Sequence, residues 1–238
     1  MADNVLDPTC EKRKLLKEKL VLKLLPSIQK QGFSLLKMDD AAKHMDISKA
    51  TMYKYFASKD DIISCLVRQC AEFIIDQMLE EAPRKFTEEQ LSNPSDEDRR
   101  LYCESFAVVF KLTTKLTYYL TDAFLQDLGT AYPDLSAELS QSVDKFQKKL
   151  IAYLESGMEL GVFNRLNATL LLIQLDVVLR KLLDPKLLML HNMTLKQALL
   201  DFYIAMKHQV FNEKWLLRGT DEIEPFIDKM ILKMLSSD

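Results

Sequence analysis

A chain of 238 residues has room for one large domain or two, and 48% hydrophobic residues supply an ample core. Only 5 Gly and 7 Pro are present, which weighs against a β-rich or disordered chain and for long helices. The net charge of −3 weighs against nonspecific coating of nucleic acid, and no run of about 18 uncharged apolar residues offers a membrane span.

The N-terminal decapeptide MADNVLDPTC is acidic and polar, unlike a secretory signal. The four cysteines (Cys10, Cys65, Cys70 and Cys103) show no metal-ligand spacing. Both observations predict a cytoplasmic protein with reduced, mostly buried thiols. Residues 1–64 carry 12 Lys and Arg against 9 Asp and Glu, and the remainder carries 20 against 26. A basic end on an acidic body suits a DNA reader whose body stays off the duplex.

The first predicted helix, about Cys10 to Gln31, has Leu16, Leu20, Leu24 and Ile28 on one side and stops at Gly32. Pro26 lies within it and should kink it. Lys12, Arg13 and Lys14 near its start either reach a phosphate or the minor groove or face solvent. A short helix follows, with Met38, Ala41, Ala42 and Met45 on one apolar stripe and Asp39 and Asp40 in its first turn, where carboxylates complement the helix dipole. Asp46 tolerates the left-handed conformation of a sharp turn, Ile47 plugs the corner, and Ser48 is a natural N-cap for the next helix.

On a helical wheel over residues 48–56, Met52 and Phe56 share one face with Tyr55 beside them. The opposite face carries Ala50 and Lys54, flanked by Thr51 and Tyr53. Ala50 and the Thr51 methyl suit a thymine methyl, Lys54 suits a guanine edge or a phosphate, and the Thr51 and Tyr53 hydroxyls suit phosphate oxygens. Lys59 opens the next helix, where its charge and the free N–H groups both favour a phosphate.

The segment from about Lys14 to Ile63 resembles the DNA-binding domain of the TetR family of bacterial transcriptional regulators. The resemblance rests on Gly32-Phe33, on Met38-Asp39-Asp40-Ala41-Ala42, on the run Ile47 to Phe56, and on Ser58-Lys59-Asp60-Asp61. It implies DNA contacts at Lys37, Ser48, Lys49, Ala50, Thr51, Tyr53, Lys54 and Lys59. The chain departs from the family pattern at Asp46, usually Gly, at Lys37, usually Ser or Thr, and at Pro26. None of these removes a groove-facing residue.

The rest reads as almost wholly helical: Lys59 to Glu81, a polar loop from Pro83 to Pro94, then Asp96–Thr121, Asp122–Ala131 and Asp134–Leu160. After a turn at Gly161-Val162-Phe163, Asn167 caps Ala168–Leu183 and Pro185 ends it. Thr194 caps a helix to about Glu213, and a last helix runs from about Asp221 to Leu235. The expected fold class is all-α, with a helix-turn-helix domain over 1–64 and a helical effector-binding and dimerisation domain over 65–238.

Residues 168–183 are apolar nearly all round, so this helix is expected to be buried on more than one side. In the family the last two major helices form a two-fold four-helix interface. The resemblance therefore implies a homodimer through 168–183 and 195–213, with Leu172, Asp176, Leu179, Arg180, Phe202 and Met206 in contact. A core helix within one subunit is the alternative. The aromatic and Met content of the body (Phe106, Phe110, Tyr118, Tyr119, Phe124, Met158 and Phe163) is either plain core or, as the family implies, an effector pocket.

No catalytic constellation is legible. His44, His191 and His208 are scattered, and the sequence has neither a Gly-rich phosphate loop nor a nucleophile elbow. No cofactor or metal is expected. The resemblance implies a repressor released from a pseudo-palindromic double-stranded DNA operator by a small apolar effector, with activation as a variant. The rivals are a helical interaction protein on the same fold and a helical enzyme or carrier.

Overall fold

The computed structural model describes residues 8–80, 87, 90, 92–216 and 223–235, so most of the predicted 83–94 loop lies outside the described residues. The chain forms two compact units, residues 1–74 with 119–143 and residues 75–118 with 144–238. No helix among the described residues is long and apolar enough to cross a membrane. Cys65, Cys70 and Cys103 are free thiols, the last two buried.

In the first unit the chain runs α1 (Pro8–Leu22), α2 (Leu25–Gln31), α3 (Met38–His44), α4 (Lys49–Tyr55) and the start of α5 (Lys59–Glu80). The single kinked helix expected over residues 10–31 is instead two helices. Lys23 and Leu24 form a turn, closed by hydrogen bonds from Lys23 N–H to the Leu20 carbonyl and from Leu24 N–H to the Val21 carbonyl. Pro26 then sits in the first turn of α2. That placement is physically favoured, because a helix's first N–H groups have no intrahelical partner to lose.

A later segment completes this unit: α8 (Asp122–Ala131) and the first part of α9 (Pro133–Glu159). Helix α8 packs on α2. Val21, Leu24, Ile28, Phe33, Met45, Met52, Phe56, Ile62, Leu66, Phe124 and Leu128 are all fully buried in this unit.

In the second unit, α6 (Asp96–Glu104) and α7 (Phe106–Tyr119, up to residue 118) replace the single helix expected over 96–121. Ser105 separates them. Its N–H bonds to the carbonyls of both Leu101 and Tyr102, and its hydroxyl donates to the Leu101 carbonyl, a local competition that tightens and bends a helix. The rest of α9 leads to α10 (Ala168–Leu182), α11 (Pro185–Leu190), α12 (Leu195–Val210) and α13 (Ile223–Leu235).

The short α11 was not expected. Pro185 ends α10 but also starts a helix, with the Asp184 side chain accepting the Lys186 N–H at 2.9 Å as its N-cap. Asn167 and Thr194 cap α10 and α12 as predicted. Helix α12 ends at Val210, short of Glu213, because Phe211 pairs with Phe163 in an isolated antiparallel bridge and the Asn164 amide donates to the carbonyls of Gln209 and Phe211.

Candidate nucleic-acid interface

Helices α3 and α4 meet at Asp46, which adopts φ 57, the left-handed conformation the turn requires. Ser48 is extended, and its hydroxyl oxygen accepts the Thr51 N–H at 3.1 Å. Met45, Met52 and Phe56 are 0% exposed, so α4 is held on the core by its inner face. Lys49, Ala50, Tyr53 and Lys54 are exposed and Thr51 is half-buried. The wheel drawn from sequence and the burial pattern of α4 therefore coincide.

Helix α1 braces this arrangement. The Arg13 guanidinium donates to the Lys54 carbonyl at 2.6 Å, closing the C-terminal end of α4. Lys17 pairs with Asp61 at 2.7 Å and lies 5.0 Å from the centre of the Phe56 ring. Burial opposes ionisation of Asp61, but the Lys17 hydrogen bond, the Ala57 N–H and the charges of Lys17 and Arg68 hold its carboxyl below the ordinary value. Lys23 donates to the Met45 carbonyl at 3.1 Å, so the end of α3 is closed too.

Among the described residues Lys37 and Lys54 are in no ion pair, and both are exposed. Lys59 is half-buried and donates to the Ser34 carbonyl at 2.8 Å. Lys49 pairs across the motif with Asp39 at 2.6 Å, and the Asp39 hydrogen bond and charge raise its pKa. On exposed helices such a pair is weak and easily exchanged. A phosphate brought to Lys49 would have to compete with Asp39 for it and would be repelled by the Asp39 charge. Asp39→Asn is expected to strengthen DNA binding about two- to fivefold at low salt, as read by fluorescence anisotropy. Weaker binding by this variant would mean that Asp39 orders Lys49 for contact.

The residues suggested for an effector pocket do not form one group. Phe106, Phe110 and Phe163 share an aromatic cluster in the second unit with Tyr102, Tyr153, Tyr203 and Phe211. Tyr102 and Tyr153 stack at 4.7 Å, and each hydroxyl donates to the other residue's carbonyl. Tyr118 and Met158 are half-buried in the same unit. Tyr119 packs on Phe73 and Phe124 on Phe33, both in the first unit.

The interface residues divide by depth. Leu172, Leu179 and Met206 are buried inside this chain and leave a second copy almost no side-chain surface. Asp176 and Arg180 are half-buried and pair at 2.9 Å, with Thr117 donating to Asp176 at 3.1 Å, and Phe202 is half-buried. The outward apolar residues of α10 are Leu170, Ile173 and Val177, joined by Ile204 on α12, and the Gln174 and Gln209 amides pair at 3.1 Å between these helices.

Residues 27–64 match the family model described as bacterial regulatory proteins, tetR family. The ketosteroid transcriptional regulator KstR2 of Mycobacterium tuberculosis has a similar fold, with TM-score 0.58 at 15% identity over 83% of this chain and 95% of that one. A protein from Saccharomonospora viridis, described as a transcriptional regulator and solved with choline, gives TM-score 0.55 at 17% identity over 85% of this chain and 100% of its own. At these identities the likeness is one of fold. No curated protein matches the chain.

Proposed function

We propose, for a chain that belongs to the TetR family of bacterial transcriptional regulators, the role of a dimeric repressor that an effector releases from its operator. Each subunit lays α4 in one major groove, and the two-fold axis makes the operator a pseudo-palindrome with half-sites spaced by whole helical turns. The observation that carries this reading is α4 itself: Met52 and Phe56 are sealed inward, while Lys49, Ala50, Tyr53 and Lys54 face outward. Lys54, Ala50 and Thr51 read base edges, and Lys37, Ser48, Lys49, Tyr53 and Lys59 hold phosphates.

Residues 1–64 are assigned to reading and 65–238 to effector binding and dimerisation. The effector is a small apolar molecule that enters beside Phe106, Phe110 and Phe163. It acts by binding one spacing of the two reading heads better than the other. Choline, bound by the Saccharomonospora viridis protein, belongs in the first effector screen, because ring faces also attract quaternary cations.

The dimer forms through the outer apolar stripe of α10 and α12. Support comes from the exposure of Leu170, Ile173, Val177 and Ile204, at 51–63%, on helices that the family pairs. Ile173→Glu with Val177→Glu is expected to weaken self-association on the order of a hundredfold, leaving a folded monomer in sedimentation velocity. A dimer of unchanged strength would place the interface elsewhere.

Selection of a random duplex library by the purified chain tests the whole reading. An enriched inverted repeat supports it. Binding without an enriched motif would favour a helical interaction protein instead.

A further inference from the structure

We propose that Asp127 is a positioning residue for DNA binding: its carboxylate grips the Gly32–Ser34 turn and so sets the Lys59 ammonium in place for a phosphate. This rests on the DNA-reading function proposed above. Asp127 lies on α8, more than 90 residues along the chain from that turn, yet its Oδ2 accepts the N–H of Phe33 at 2.6 Å and of Ser34 at 2.8 Å. Two adjacent N–H groups converging on one carboxylate oxygen form a charge-assisted anchor. Ser34 is held at its other end as well, because its carbonyl accepts the Lys59 ammonium at 2.8 Å.

Gly32 makes this approach possible. It has φ +70, and a Cβ there would collide with the Asp127 carboxylate, so glycine meets a conformational and a steric demand at one position. Neighbouring contacts fasten the same segment. The Thr121 hydroxyl donates to the Gln29 carbonyl at 3.1 Å, the Tyr132 hydroxyl donates to Asp60 at 2.6 Å, and the Phe33 ring packs against Phe124 and Tyr132. Burial opposes ionisation of Asp127, but the hydrogen bonds from Ser34 and Phe33 and the Lys59 charge outweigh it, and the carboxyl stays below its ordinary value.

Asp127 is anionic, so it would repel a phosphate placed against it, and its effect on DNA runs through the turn and Lys59. Loss of Asp127 therefore costs the same phosphate contact as loss of Lys59. That relation separates positioning from general stabilisation.

The test uses the full chain and a duplex enriched from a random library by the wild type. Asp127→Ala is expected to bind about tenfold more weakly, and the slope of log affinity against log salt should fall by about one contact. Lys59→Ala should give the same loss, and the double variant should lose little more. Asp127→Asn keeps an acceptor without the charge and should fall about threefold in the same direction, so it carries the test if the alanine variant does not fold. Wild-type affinity and slope in the asparagine variant would overturn the assignment, as would losses that multiply in the double variant. A wild type that enriches no duplex would overturn the DNA-reading function beneath it.

Discussion

Tyr53→Ala combined with Lys54→Ala is expected to lower affinity for the selected duplex on the order of a hundredfold or more, with the fold intact. Each side chain is exposed on α4. A base-edge contact and a phosphate contact each contribute about 1–3 kcal/mol, and two independent losses multiply. Stability should hold because neither side chain belongs to the core, and because Arg13 is held by the Lys54 carbonyl, which the substitution keeps. Affinity is measured by fluorescence anisotropy and folding by thermal unfolding in the same buffer. Retained affinity would move the DNA contacts off α4. Loss of both affinity and thermal stability would mean that these residues act in folding.

Phe163→Ala is expected to destabilise the chain by about 3–5 kcal/mol, seen as a lower urea midpoint. Phe163 is 3% exposed, and its ring meets Tyr102, Phe106, Tyr153 and Phe211 at 5.1–6.1 Å between centroids. Its ring also presses on α9 at Gly157, where its Cγ lies 3.0 Å from where a Cβ would be and two ring-edge carbons lie closer still. Such a ring is part of the packing, and removing it leaves a cavity the neighbours fill only in part. A cost below about 1 kcal/mol would mean that the ring borders open space and is not held by packed neighbours.

These two expectations stand on different kinds of sequence legibility. The α4 motif was readable because its determinants are local. A left-handed turn residue, a hydroxyl three residues before the N–H it caps, and apolar residues four apart need no knowledge of the rest of the fold. Asp46, Ser48, Met52 and Phe56 each take the role their neighbourhood dictates.

The phase of α10 was not readable. In ATLLLIQLDVVLRKL nearly every position is apolar, so a helical wheel has no contrast to say which leucines turn inward. Leu172 and Leu179 were expected to meet a partner, yet they are interior, and Leu170, Ile173 and Val177 carry the surface. The aromatic residues of the body present the same difficulty. Phe110 and Phe124 are alike in composition terms, but Phe110 meets Tyr203 and Phe124 meets Phe33 in different units.

Contacts between distant positions were also beyond the sequence. Arg13 on the Lys54 carbonyl and Asp127 on the 33–34 amides join residues 41 and 93–94 positions apart, and no periodicity links them. Gly32 was legible as a helix stop, but its second role, making room for a carboxylate, depends on a helix that arrives much later in the chain.

A dimer of the proposed kind must read DNA sequence through paired α4 helices. The most direct measurement is the ratio of its affinities for the selected inverted repeat and for a scrambled duplex of equal length, at near-physiological salt. A ratio of about a thousandfold or more is expected, as base-edge readout provides beyond phosphate attraction. A ratio near one would contradict it, because affinity would then come from charge alone and α4 would have no reading role.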